Sequence, residues 1–159
     1  MQNFMTRDTH QRLIEQLKKI KEFEIPRISK EKLEAARQGD LSENAEYDAA
    51  KEKLEMLMHR YSQLEGRMSN VSFIEDLNIP GTVVSIGTTV IIKEIAAETE
   101  KTYTILGVED SDVDNNIISF QSPIAKGIIG KKIGDKCEIT LPEGSKAVLI
   151  QDIKVYNPS

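Results

Sequence analysis

Residues 50–71 read AKEKLEMLMHRYSQLEGRMSNV. Apolar side chains fall at Ala50, Leu54, Leu57, Tyr61, Leu64, Met68 and Val71, in alternating steps of four and three. That is the a/d seam of a coiled coil. A seam of this kind buries little by itself, so a second helix must cover it. His10, Leu13, Leu17 and Ile20 supply one, stepping three, four, three. Phe23, Ile28, Leu33 and Ala36 continue its apolar face less regularly. Pro26 is expected to kink or interrupt it, because proline lacks the N–H and its ring meets the preceding turn. No third helix of comparable length follows, so the two helices are predicted to fold back as an antiparallel hairpin. Gly39 suits the end of the first helix, and Ser42, Glu43 and Asn44 offer capping chemistry for the second. The tip is placed at residues 38–44. From there to Asn70 is about 27 residues, or roughly 40 Å at helical rise. A rod that long exceeds what its own core needs and reads as a probe.

Beyond residue 76 the pattern changes. The first 80 residues hold only two glycines, Gly39 and Gly66, among many strong helix formers. The remainder is rich in Val, Ile, Thr and Gly, the composition of strands and turns. Strands are expected over 81–85, 88–95, 101–106, 116–120, 136–141 and 146–155. A short helix is expected over 122–129, with Pro123 in its first turn. Residues 109–115 read as an acidic, solvated loop, and 142–144 as a hairpin turn. The fold class is therefore α+β in two domains. Residues 1–76 form the coiled-coil hairpin, 77–80 the linker, and 81–159 a mainly antiparallel sheet with a short helix.

The 159 residues carry a net charge of −5, which argues against autonomous binding to duplex DNA. Cys137 is the only cysteine, so neither an internal disulfide nor a cysteine-based zinc site is available. It is expected to pack within a strand. No signal-peptide core or bilayer-length apolar stretch is present, and the simplest reading is a cytoplasmic protein with no membrane contact. His10 and His59 have no ligand-spaced partners and read as seam or surface residues.

The segment Gly39-Asp40-Leu41-Ser42-Glu43-Asn44-Ala45-Glu46-Tyr47 carries the chemistry. Asp40 and Glu43 stand three apart around a turn, a spacing that can aim two carboxylates the same way. Such a pair suits Mg²⁺, a hard ion that accepts carboxylates, keeps several waters and is completed by phosphates or another protein. Capping of the following helix by its dipole and N–H groups explains the same residues, and on spacing alone is favoured. Glu46 and Asp48 read as a solvated first turn.

This segment, with Ala49-Ala50-Lys51-Glu52 after it, closely resembles the tip signature of the Gre family of bacterial transcript cleavage factors. Residues 118–135, reading ISFQSPIAKGIIGKKIGD, are similar to the C-terminal signature of the same family. The resemblance covers nearly the whole chain and implies a coiled coil joined to an FKBP-like domain. It implies that the C-terminal domain binds bacterial RNA polymerase at the rim of its secondary channel and that the coil enters the channel. Asp40 and Glu43 would there help to hold a Mg²⁺ shared with the polymerase and to position a water. The polymerase would then cleave the 3′ end of its own nascent RNA in backtracked or arrested complexes. The chain would be no enzyme itself, would bind no cofactor tightly, would meet DNA at most indirectly and would be a monomer when free.

By the same resemblance Asn44 and Tyr47 contact polymerase or RNA; capping by Asn44 and packing across the hairpin by Tyr47 fit equally well. Arg37 and Lys51 flank the tip and could meet the RNA 3′ end, or simply be solvated. Ser122, Pro123, Ile124 and Gly130 are the docking-loop candidates, with a core role favoured for Ile124 and Ile128. Ser42 departs from some relatives, which carry a basic residue there. Three rivals remain: a Gre-like paralogue that occupies the channel and inhibits, a prolyl isomerase, and a plain coiled-coil adaptor. The intact spacing of Asp40 and Glu43 argues against the first. The second half has only Tyr103, Phe120 and Tyr156 as aromatics, which argues against the second. The third predicts no effect of changing Asp40 or Glu43.

Overall fold

The structure is a computed structural model and describes residues 2–39 and 44–158. The helical unit, His10–Asn70, is bounded on both sides by residues of the other unit, Met1–Thr9 and Val71–Ser159. The first strand, β1 (Asn3–Met5), pairs in parallel with β2 (Val71–Phe73), Asn3 opposite Val71. This pairing was not expected. Residues 2–9 therefore belong with the sheet-bearing unit rather than with the coil, and the division falls at 70–71 instead of 77–80. Both strands have only three residues, too short for a period-2 pattern to announce them.

Helix α1 (Arg7–Lys19) runs through a π-helical turn at Ile20–Glu24 into α2 (Ile25–Ala36). The Ile25 N–H bonds the Ile20 carbonyl, five residues back. Pro26 sits at the start of α2 and so interrupts the α-helix without ending the rod. The wider turn carries the chain past the carbonyl of Glu22, which the proline ring would otherwise meet. It also sets the seam. Leu13, Ile20, Ile28 and Ala35 are its buried apolar residues, spaced seven, eight and seven. The π-turn absorbs the one extra residue and returns the face to register. Phe23 (67% exposed) and Leu33 (54%) consequently fall off the seam, against expectation.

Helix α3 (Ala45–Arg67) behaves as its heptads require. Ala50 and Leu64 are buried, and Leu54, Leu57, Tyr61 and Met68 are half-buried, while the residues between them are exposed. Val71, the last seam residue, has already left the helix for β2.

In the other unit, five strands follow: β3 (Thr88–Glu94), β4 (Thr99–Leu106), β5 (Ile117–Ser119), β6 (Lys136–Leu141) and β7 (Gly144–Val155). Their order is β5-β4-β3-β7-β6, antiparallel except for the β4–β5 pair. Helix α4 (Pro123–Ile128) covers a core of Val84, Val90, Ile105, Ile128, Val148 and Ile150. Gly127 lets it lie close, since a Cβ there would stand 3.1 Å from the Glu138 carbonyl oxygen. The strand expected at 81–85 does not form. Gly81 and Gly87 both take positive φ, and Val84 instead exchanges two backbone bonds with the loop at Gly130 and Lys131.

Candidate functional site at the coil tip

Asp40, Leu41, Ser42 and Glu43 lie outside the described residues, and the residues on either side of them form their frame. Asn44 has extended backbone and is the N-cap of α3: its Oδ1 accepts from the Tyr47 N–H at 3.1 Å. Its Nδ2 donates to the Ala35 carbonyl oxygen at 2.6 Å. One side chain thus satisfies an orphan donor of α3 and an orphan acceptor of α2. The Gln38 N–H reaches the same Ala35 oxygen, and the Arg37 N–H bonds Glu34, which closes α2. Gly39 follows with a φ of +147°, a value that favours glycine.

Tyr47 is half-buried, and the Lys32 ammonium stands 5.7 Å from its ring centre, a cation–π contact from α2 to α3. Asn44 thus caps α3, and Tyr47 packs across the hairpin. Arg37 and Lys51 are both exposed, on opposite helices as expected. Lys32 and Ala35 were not singled out from the sequence; only the facing helix gives them a role.

Ser122 is the N-cap of α4, its Oγ accepting from the Ala125 N–H at 3.3 Å, and Pro123 is exposed on the first turn. Ile124 is half-buried beside the core, whereas Ile128 is wholly inside it. Gly130 turns the chain with a φ of +88°, its N–H bonded to the Val84 carbonyl. Near Ile124, a cavity of about 220 Å³ opens on the sheet, lined by Ile92, Ile139, Leu141, Val148 and a single aromatic, Tyr103. That is small for a ligand site and lacks the aromatic lining an isomerase pocket needs.

The acidic segment after β4 is not wholly solvated. Asp110 is buried; its Oδ1 accepts from the Thr6 N–H (3.1 Å) and Thr6 Oγ1 (2.9 Å), and its Oδ2 from the Gly107 N–H (3.0 Å). It fastens the N-terminal residues to the sheet-bearing unit. Gly107 leaves the room, since a Cβ there would stand 1.8 Å from the Phe4 carbonyl oxygen.

The chain's domains match two family models. Residues 3–72 match "Transcription elongation factor, N-terminal", and residues 79–155 match "Transcription elongation factor, GreA/GreB, C-term". The chain belongs to the GreA/GreB family of transcription elongation factors. Within that family it is most like GreA. It is 41% identical to the GreA of Hyphomonas neptunium over 143 residues, 90% of this chain and 91% of that one. It is 41% identical to the GreA of Bacillus cereus over 154 residues, 94% and 95%. Among solved structures, GreA factor homolog 1 of Thermus thermophilus aligns over 97% of this chain and 99% of that one, at 21% identity and a TM-score of 0.43. A GreA/GreB factor from Nitrosomonas europaea aligns over 66% and 91%, at 26% and 0.42. The Gre-family assignment rests on the sequence matches, and the two-domain α+β architecture is that described above. No helix among the described residues is long and apolar enough to cross a membrane.

Proposed function

We propose that this Gre-family chain is a cytoplasmic accessory factor of bacterial RNA polymerase that stimulates cleavage of the nascent RNA 3′ end in backtracked or arrested complexes. The coil enters the secondary channel and the sheet-bearing unit holds the polymerase. The observation that supports this reading is the Asn44 clamp. It ties the facing ends of α2 and α3 together through the residue that directly follows Glu43 in the sequence.

Two of the four residues between Gly39 and Asn44 are carboxylates. Among the described residues no group of three or more His, Cys, Asp or Glu side chains could hold a metal ion. Two carboxylates are an incomplete set for six-coordinate Mg²⁺, and fit a site whose other ligands are polymerase carboxylates and RNA phosphate. When bound, the ion would stabilise the charge that develops on the attacking or leaving oxygen. Asp40 and Glu43 would share that ion and accept hydrogen bonds from the attacking water, orienting it. Arg37 and Lys51, exposed on either side, would attract the extruded RNA. Asn44 and Tyr47 act by holding the frame.

A stalled elongation complex tests this directly. Addition of the chain with Mg²⁺ should shorten the RNA from its 3′ end. Asp40→Ala or Glu43→Ala should abolish shortening and leave polymerase binding nearly intact. Normal cleavage by the double variant would sink the assignment, and binding with inhibition only would favour the inhibitory paralogue.

A further inference from the structure

One face of the coil carries two adjoining grooves between α2 and α3, which meet at Lys53. The groove nearer the tip, about 300 Å³, has Glu31, Glu34 and Glu46 on its edges against Lys53, a balance of −2. The groove farther along the rod, about 470 Å³, has Arg27, Lys53 and Arg60 against Glu24, a balance of +2. Apart from half-buried Glu24, these charged side chains are exposed, and none of them forms an ion pair with a described residue. The floor is apolar, Ala35 and Ala50 in one groove and Ile28 and Leu57 in the other. Met56 stands on the edge of the second, 66% exposed.

The spacing makes the two grooves one surface. On α3, Glu46, Lys53, Met56, Arg60 and Gln63 step seven, three, four and three. On α2, Glu24, Arg27, Glu31 and Glu34 step three, four and three. Each set therefore runs along one side of its helix. From Glu46 to Gln63 is about 25 Å at helical rise. Two adjacent helices present a face about 20 Å wide, so the surface is about 500 Å² on one copy and about 1,000 Å² across a pair. That is the low end for a specific interface and fits a weak, reversible dimer.

We propose that this groove face binds a second copy of the chain, antiparallel, across a two-fold axis near Lys53 and Met56. A two-fold interface must be complementary to itself. Antiparallel pairing sets the acidic half of each face against the basic half of the other, whereas parallel pairing would set like against like. The Met56 side chains of the two copies meet close to the axis, where a flexible thioether can fill an uneven apolar gap. A nucleic acid is a poorer occupant, because the acidic half would repel its phosphates. The family resemblance implies a monomer for the free chain; the charge pattern of the groove argues for a pair.

Sedimentation velocity of the full chain, from low micromolar to several hundred micromolar, tests this. The wild type should shift from monomer to dimer, and rising salt should weaken the pairing. Arg27→Glu with Arg60→Glu, or Glu31→Lys with Glu34→Lys, should each weaken self-association about tenfold or more. An equimolar mixture of these two altered chains should pair again, since one face is then mainly acidic and the other mainly basic. Arg27→Lys with Arg60→Lys should pair as wild type. Helical circular dichroism should show every chain folded, because all the replacements are strong helix formers. A wild type that stays monomeric at the highest concentration would overturn the proposal. So would association that ignores salt and both charge reversals, or altered chains that fail to pair when mixed. Reversals that change only polymerase or RNA binding would give the face another occupant and overturn it too.

Discussion

Asn44 serves two helices with one amide. Asn44→Ala should cost the hairpin about 1 kcal/mol as a lost N-cap, read as a lower melting temperature of helical circular dichroism. Asn44→Asp should recover part of the loss, because it caps α3 but cannot donate to Ala35. The sequence allowed Ser42, Glu43 or Asn44 as caps; what separates Asn44 is the Ala35 carbonyl, nine residues earlier, and only the folded hairpin brings it near. Asp110 makes the same point more strongly. In a run of acids it reads as solvated, yet its partner Thr6 lies 104 residues away. Asp110→Asn should destabilise the sheet-bearing unit by about 2 kcal/mol in a denaturant titration, since the amide must aim a donor at another donor. Burial pushes the Cys137 thiol above its ordinary range; Lys131 opposes this and Asp135 adds to it. A raised thiol pKa means less thiolate at any given pH. Alkylation near pH 8 should therefore be slower than for a free cysteine, and should reach the free rate in denaturant.

Among the elements, α3 was legible because every seam residue from Ala50 to Leu64 sits in one unbroken α-helix. The first rod was not, because its period changes partway. A heptad count through Phe23 and Leu33 fails, whereas a count that allows one extra residue at Ile20–Glu24 recovers Ile28 and Ala35. Pro26 signals the site of the irregularity but not its kind. The two features should be coupled. Deleting exposed Lys21 shortens the buried spacing from eight to seven but returns the Pro26 ring to an α-helical turn, at a cost of about 3 kcal/mol. Deleting Lys21 in a Pro26→Ala background should restore a continuous α-helix with its seam in phase, and much of the stability. Thermal melts of the four chains in this cycle would show a large coupling; additive effects would separate the π-turn from the proline.

For the whole chain, the helical unit is an insertion in sequence between β1 and β2. That follows from two three-residue strands whose signal is too short to read alone. The consequence is that residues 2–6 should matter to the C-terminal fold. Removing them deletes β1, the Thr6 bonds to Asp110 and the edge-on Phe4–Phe120 ring contact, whose centroids lie 5.9 Å apart. Asp110 would then lose two of the donors that satisfy its carboxylate. The truncated chain should show faster hydrogen exchange at residues 71–73 and 107–110, and a lower melting temperature of the sheet-bearing unit. Protection along 50–64 should persist, because α3 packs against α2 and the π-helical turn, which lie beyond the cut. Equal loss in both units would mean that the β1–β2 pair also supports the coil; no loss in either would mean that the Thr6–Asp110 bonds contribute nothing net.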